Sequence, residues 1–463
     1  MLRGFLILNM SLIEPRMLLS NDDPALLRLL DVFQRSEGVT TDTRTAGPGQ
    51  VFFALKGDNF NGNTYAHQAL QKGCSAAVVD EVDLVNQDDP RYLLVPDVLI
   101  ALQSLARWHR RQWTCPVIGL TGSNGKTTTK ELIKCVLEAG FPHVHATNGN
   151  FNNEIGVPLT LLASPKEPDV AIIEMGANAQ KEIALLASIA EPTMGLITNI
   201  GRAHLEGFGS EDGVLKGKGE LFDFFRKSGD ADTVFVNAAD PKLMRISHDL
   251  KRYLFGLAGH APFVREVMSE NQFTWEDLSG QIHGPMNVQI AGQHNRENIL
   301  SAIAIGLYLG ISSTECTTAI ERYLPTNNRS QWHHTNSNRV LLDAYNANPS
   351  SMHAAFETFQ KEASTGQDHS NGLCIIGDMG ELGAFAEEAH MEILDAAIKR
   401  GFDVVTVGPL FARAAEQTMG QNVTVFSSTA LVCEHFEQHP PFQRSILLKG
   451  SRSIALEALL KVL

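Results

Sequence analysis

Leu120-Thr121-Gly122-Ser123-Asn124-Gly125-Lys126-Thr127-Thr128 follows a short apolar run, Pro116-Val117-Ile118-Gly119-Leu120, and precedes Lys130-Glu131-Leu132-Ile133-Lys134-Cys135-Val136-Leu137. The first run reads as a buried strand, and the last places apolar residues at helical spacing. Strand, glycine-bearing turn and helix in that order make a phosphate loop. Gly122 and Gly125 let backbone N–H groups turn toward phosphate oxygens at a helix N-terminus, Lys126 brings a mobile positive charge, and Thr127 offers a hydroxyl to Mg²⁺. The usual pattern has a glycine where Leu120 stands; here Gly119 and Gly122 lie on either side of it. Gly119, Gly122 and Gly125 are followed by Lys-Thr and do not form the dinucleotide fingerprint, which disfavours a redox nucleotide.

The chain of 463 residues exceeds one ordinary core, so two or three domains are expected. Apolar residues at 43% and charged residues at 19% are a globular balance that leaves little room for long disorder. Lys plus Arg number 38 against 52 Asp plus Glu, and the resulting charge of −14 argues against a nucleic-acid or anionic-membrane surface. An anionic ligand must therefore meet local positive groups. Cys74, Cys115, Cys135, Cys316, Cys374 and Cys433 show no paired spacing, so neither a zinc site nor a disulfide framework is indicated, and a reducing cytoplasm is expected. Residues 2–19 are apolar in places but are interrupted by Asn9, Glu14, Pro15 and Arg16. They read as a non-membrane leader or first strand, with Met10 and Met17 as alternative starts.

Three parts follow from the alternation of elements. Residues 1–114 end in a helical run, 98–113, that is apolar on one face. Residues 115–325 alternate strand candidates (117–120, 170–174, 194–199, 233–237) with helices, the pattern of a parallel sheet covered on both faces. Residues 326–463 repeat the alternation with strands at 340–343, 372–377, 403–407 and 446–448, a smaller doubly wound domain. Residues 366–372 read as an exposed loop. In open parallel sheets, ligands bind at the carboxyl ends of the strands. Glu174 ends the second central strand, where an acid holds Mg²⁺ in phosphate-loop enzymes. Asn199 ends the next, His204 follows in its loop, and Lys216-Gly217-Lys218 opens an amphipathic segment.

Together these stretches resemble the Mur ligase family. Thr41-Asp42-Thr43-Arg44 with Pro48-Gly49-Gln50-Val51-Phe52-Phe53-Ala54-Leu55-Lys56-Gly57 is similar to its N-terminal motif for a uridine nucleotide. Thr147-Asn148-Gly149-Asn150-Phe151-Asn152-Asn153 resembles its asparagine-rich loop, and Glu174-Met175-Gly176-Ala177 and Ala203-His204-Leu205-Glu206 resemble its magnesium motifs. Asp343-Ala344-Tyr345-Asn346-Ala347-Asn348-Pro349 with Gly377-Asp378-Met379-Gly380-Glu381-Leu382-Gly383 is similar to the signature of members that add D-alanyl-D-alanine to UDP-N-acetylmuramoyl-tripeptide.

The resemblance implies an α/β protein of three domains: an N-terminal substrate-binding α/β domain, a central phosphate-loop ATP-binding domain on a parallel sheet, and a C-terminal Rossmann-like domain. It implies an ATP-dependent ligase with two Mg²⁺ sites. Gly122, Ser123, Asn124, Gly125, Lys126, Thr127 and Thr128 would hold the phosphates; Thr127 and Glu174 would hold one Mg²⁺, and Glu174 with His204 the second. Lys218, in preference to Lys216, would carry a CO₂-derived carbamate that supplies a further oxygen ligand. Lys126, Glu174, His204 and Lys218 would thus form the catalytic set. Asn295 and Asn298 would lie near the adenine, with Arg329 and Asp343 reaching the nucleotide from the C-terminal side. Thr43, Arg44 and Lys56 would meet the uridine end, Asn150, Asn152 and Asn153 the substrate and phosphates, and Asn346 and Asn348 the dipeptide. A monomer without nucleic-acid or membrane partners is expected. The alternatives are a related ligase for another amino acid or for polyglutamate, and a nucleotide-dependent scaffold that does not ligate.

Overall fold

A computed structural model describes residues 18–84, 86, 88–164, 167–229, 233–257, 263–267, 273–325, 329–363, 372–418 and 423–463. The expected leader before residue 18, the loop 366–371 and residues 326–328 of the expected second boundary lie outside them. The chain divides into two compact units. One comprises Met1–Cys115 with Asn150–Pro168 and Leu185–Glu191; the other comprises Pro116–Gly149, Asp169–Ala184 and Pro192–Leu463.

In the first unit, Val39–Thr40, Val51–Phe53, Ala76–Val79 and Tyr92–Leu94 pair in that order as a parallel sheet. The short strands are buried throughout at Val51–Phe53 and Ala76–Val79. The expected helix 98–113 runs over Val98–Arg110, started by the Asp97 side chain, which accepts from the Ile100 amide at 2.9 Å. Residues 150–168, read from sequence as part of the middle domain, join this unit through specific bonds. Gln103 Nε2 donates to Glu154 O at 3.0 Å, and Glu167 Oε1 accepts from the Cys115 amide at 2.9 Å.

The second unit holds two sheets. Among the described residues the larger has nine strands, and its parallel part runs Arg252–Leu257, Thr233–Asn237, Met194–Ile197, Val117–Thr121, Val170–Glu174, Val144–Ala146. Val117–Thr121 and Val170–Glu174 are completely buried, as expected of strands covered on both faces. The sheet is not parallel to its end, however. Val264–Val267, Phe273–Glu276 and Ile282–Met286 extend it, the last two antiparallel, so the purely parallel sheet expected from sequence is corrected to a mixed one. The expected strand 194–199 stops at Ile197 because Thr198 and Asn199 turn to bind the phosphate loop.

The smaller sheet has the order Gln331–His334, Arg339–Leu342, Ser445–Lys449, Leu373–Gly377, Asp403–Val407, Val423–Phe426, antiparallel only at its first pair. In both sheets, strands consecutive in sequence fall on opposite sides of a central strand. Such switch points open crevices at carboxyl ends, and residues 122–128, Glu174 and Asp343 follow or end strands there.

Candidate active site

Val117–Thr121 delivers the chain into the phosphate loop, and the helix Lys126–Leu137 starts from Gly125. Gly125 has φ +78° and Gly122 φ +148°, values that favour glycine. Space makes the second requirement stricter still. A Cβ on Gly122 would lie 1.9 Å from Thr198 Oγ1, which itself donates to Asn124 O at 2.6 Å. Gly122→Ala is therefore expected to displace the loop and abolish detectable ATP-dependent turnover, while ADP affinity measured by calorimetry falls at least about ten-fold.

The loop is braced from the next strand end. Asn199 O accepts from the Ser123 amide at 3.0 Å, its Oδ1 accepts from the Asn124 amide at 3.1 Å, and its Nδ2 donates to Asn124 O at 3.0 Å. Lys126 Nζ curls back to donate to Gly122 O at 2.7 Å and Ser123 O at 3.3 Å. Burial pushes its ammonium down from the ordinary lysine range, opposed by the nearby Glu174 charge. A bound polyphosphate would supply the counter-charge that the carbonyls only partly replace.

Thr127 and Glu174 are brought together, with the Thr127 hydroxyl donating to Glu174 Oε1 at 3.1 Å in a buried setting. Glu174 is further held by its amide, which donates to Thr147 Oγ1 at 2.9 Å. Hydroxyl and carboxylate are both hard oxygen donors and suit Mg²⁺. His204 occupies left-handed backbone at φ 52°, and its Nδ1 lies 2.6 Å from Glu381 Oε2. Lys218, in the helix Glu211–Ser228, is fully buried, whereas Lys216 is exposed. Lys218 Nζ donates to Ala177 O at 2.9 Å and lies 5.1 Å over the Phe208 ring. Burial first, and the Lys126 charge second, hold its ammonium well below the usual lysine range. Among the described residues, no three His, Cys, Asp or Glu side chains are grouped as a ready-made metal centre.

On the nucleotide side, Asn298 packs against Gly125, and its Nδ2 donates to Asn295 Oδ1 at 2.9 Å. Thr127, Thr128, Glu131, Ile290, Tyr323, Pro325 and Arg329 line a cleft beside the helix N-terminus. Arg329 stacks over the Tyr345 ring at 3.9 Å. Asp343, adjacent in register to Lys449, binds its ammonium at 2.7 Å. Burial works to raise the Asp343 carboxyl, but the Lys449 charge and hydrogen bond outweigh it, and the carboxyl is held below the usual range. Because the folded value is the depressed one, this stabilisation is complete above the ordinary carboxylate range and is lost as pH falls through the folded value. Asp343→Ala strands a buried ammonium, so the thermal midpoint should fall at neutral pH by the equivalent of about 3–5 kcal/mol, and the gap from the parent should narrow in acid.

Asn348 lies in the loop after Arg339–Leu342. Its Oδ1 accepts from the Ser351 amide at 2.9 Å, starting the helix Pro349–Ala363, and its Nδ2 donates to Asn124 Oδ1 at 2.8 Å. It thereby ties the smaller sheet's first loop to the phosphate loop. Asn346 Oδ1 accepts from the Ala347 amide at 2.9 Å, which shapes the same turn.

Within the first unit, Arg44 forms a forked pair with Asp42, at 3.0 and 2.7 Å, which lowers the Asp42 carboxyl to about 2. The Thr43 carbonyl accepts from Lys72 Nζ at 2.6 Å. Lys56 pairs with Asp80 at 3.0 Å and Glu81 at 3.1 Å. Asn150 and Asn153 are exposed and Asn152 half-buried; Asn153 Oδ1 accepts from the Gly156 amide at 2.8 Å, which caps the helix Gly156–Leu162.

Glu381 and Lys449, the partners of His204 and Asp343, were given no role by sequence reasoning. Glu381 stood within a quoted motif, and its place at a strand's carboxyl end was the available signal. Lys449 ends a strand read as closing at 448.

A phosphate loop braced by the next strand end, with an acid on the neighbouring strand, defines a nucleotide-binding α/β enzyme site. The chain belongs to the Mur ligase family. Family models match in order: Mur ligase family, catalytic domain, at residues 35–111; Mur ligase middle domain at 120–306; and Mur ligase, glutamate ligase domain, at 328–452. The UDP-N-acetylmuramoyl-tripeptide–D-alanyl-D-alanine ligase of Bacillus subtilis is 33% identical over 431 residues, 92% of each chain. That of Escherichia coli is 34% identical over 438 residues, covering 92% of this chain and 93% of its own. A crystal structure of MurF from Acinetobacter baumannii superposes with TM-score 0.81 at 29% identity, covering 93% of this chain and 97% of that one.

Proposed function

We propose that this chain is an ATP-dependent, ADP-forming ligase that joins D-alanyl-D-alanine to UDP-N-acetylmuramoyl-tripeptide in the cytoplasm, the last peptide-adding step of peptidoglycan precursor synthesis. The similarity to enzymes of that name over nine-tenths of the chain supports the substrate assignment. The observation that carries the reading is the braced phosphate loop with the buried Thr127–Glu174 pair beside it.

A carboxylate is a poor electrophile at neutral pH, so amide formation in water needs a better leaving group than oxide. The tripeptide's terminal carboxylate oxygen attacks the γ-phosphorus of ATP in line, the bond to the β–γ bridging oxygen breaks, and ADP leaves the acyl phosphate behind. The loop amides and Lys126 hold the phosphates and meet the charge that spreads over them. Thr127 and Glu174 would hold one Mg²⁺, and Glu174, His204 and carbamylated Lys218 a second, adding positive charge against the phosphate oxygens. The neutral dipeptide amine then attacks the acyl carbon, loses a proton, and expels inorganic phosphate. An acyl phosphate hydrolyses readily, so water must be excluded while the amine arrives; the Asn124–Asn348 hydrogen bond already draws the smaller sheet's first loop against the phosphate loop.

The carbamate on Lys218 fits its surroundings. A buried, neutral amine is the form that attacks CO₂, with loss of one N–H proton, and the product is an oxygen ligand matched to Mg²⁺. Lys216, by contrast, is exposed. We also read the chain as a monomer, to be checked by its mass in solution.

The test is ADP release from purified protein with Mg·ATP and UDP-N-acetylmuramoyl-tripeptide, with and without D-alanyl-D-alanine. Turnover that needs the dipeptide, with a product heavier by one dipeptide less water, is expected. ATP turnover indifferent to both substrates would refute the assignment.

A further inference from the structure

Lys130 is a fully buried lysine with no part in the chemistry above. It lies one turn after Lys126 in the helix Lys126–Leu137, and three acceptors stand within reach of its three N–H donors. Nζ donates to Thr147 O at 2.6 Å and to Gly149 O at 3.4 Å, and it pairs with Glu131 Oε1 at 2.9 Å. Burying an ammonium is costly unless its donors are met, so a lysine kept wholly out of water against carbonyls acts as a clamp on the segment that carries them.

The clamped segment has little else to hold it. Val144–Ala146 lies at the edge of the nine-stranded sheet, beside Val170–Glu174, and is only half-buried. Thr147, just past it, is buried and bound through all its polar groups. Its amide donates to Ile172 O at 3.0 Å, its Oγ1 accepts from the Glu174 amide at 2.9 Å, and its carbonyl accepts from Lys130. Beyond it Asn148 and Gly149 are exposed, and a Cβ on Gly149 would meet nothing within 4 Å. Gly149 is also the last residue of this unit before the chain passes to the other at Asn150. Its carbonyl, rather than side-chain packing, is what ties the departing chain to the helix of the phosphate loop.

We propose that Lys130 is a positioning residue of the ligation step. By clamping Thr147 and Gly149 to the phosphate helix it fixes the point from which the asparagine-rich loop departs, and so the place of the tripeptide carboxylate relative to the phosphate loop. This rests on the ligase reading, in which Asn150, Asn152 and Asn153 meet the substrate.

Lys130→Met fills the same space without donors, and Lys130→Gln keeps an N–H for one carbonyl. In the ADP-bound protein, hydrogen exchange over residues 147–153 should quicken in Lys130→Met while residues 120–128 keep their wild-type protection. ADP affinity measured without metal should stay at the wild-type value. The kcat/KM for UDP-N-acetylmuramoyl-tripeptide should fall about 10²-fold, chiefly through KM, with the KM values for ATP and D-alanyl-D-alanine unchanged, and Lys130→Gln should lose less. Unchanged exchange over 147–153, or an unchanged KM for the tripeptide nucleotide, overturns the proposal. Weakened ADP binding also overturns it, by placing the effect on the phosphate loop. A kcat loss with every KM unchanged, or loss of the folded state in both variants, would make the role structural and overturns it too. A failed ligase assignment would appear separately, as wild-type protein without dipeptide-dependent ADP release, and the exchange and ADP measurements would still test the clamp.

Discussion

Lys218→Ala is expected to lower ligase turnover at least about 10³-fold and to recover part of it when a short carboxylate such as acetate is added. Both halves follow from the burial of the side chain. Lys218 is 0% exposed between Ala177 O and the Phe208 ring, so truncation opens a slot of the length of the lost stem, lined on one side by the aromatic face. A small carboxylate entering that slot would put an anionic oxygen where the carbamate is proposed to sit. Lys218→Met, which fills the slot without the nitrogen, should lose activity equally and show no recovery. The measurement is ADP release against acetate concentration for both variants. Failure of acetate to restore any activity to Lys218→Ala would remove the carbamate, and full activity in either variant would remove Lys218 from the mechanism.

Lys126→Met is the second large effect. Its ammonium is the mobile positive charge of the phosphate loop, and loss of one such preorganised group costs about 10²–10³ in turnover. Stability should not follow activity. Lys126 is held down from the usual lysine range by burial, and its hydrogen bonds go to two carbonyls of its own loop, so a methionine there removes a desolvated charge. The thermal midpoint of Lys126→Met should equal or exceed that of the parent while kcat collapses, a division expected where a site keeps a charge for function at the expense of the fold. A midpoint that drops along with kcat would mean the lysine acts chiefly by bracing the loop.

What could be read from sequence was what is local. Strand, loop and helix around Lys126 lie within about twenty consecutive residues, and period and glycine placement suffice to find them. The acid at 174 was legible because it follows a four-residue apolar run as the last residue of its strand. By contrast, the sheet's extension by Val264–Val267, Phe273–Glu276 and Ile282–Met286 consists of four- and five-residue strands, the first of which buries Glu266 against Arg296. A buried glutamate reads as exposed until its partner, thirty residues later, is known. Lys449 with Asp343 and Glu381 with His204 were hidden for the same reason, since each pair joins separate strands through tertiary geometry alone. Lys218 and Lys216 look alike in sequence and differ in burial because they lie about 200° apart around one helix.

The central claim, that a peptide carboxylate is activated as an acyl phosphate before the amine attacks, is tested most directly by oxygen transfer. With ¹⁸O in both oxygens of the tripeptide's terminal carboxylate, each turnover should place one ¹⁸O in the inorganic phosphate released and leave one in the new amide. Phosphate free of label, with dipeptide still being joined, would contradict the account.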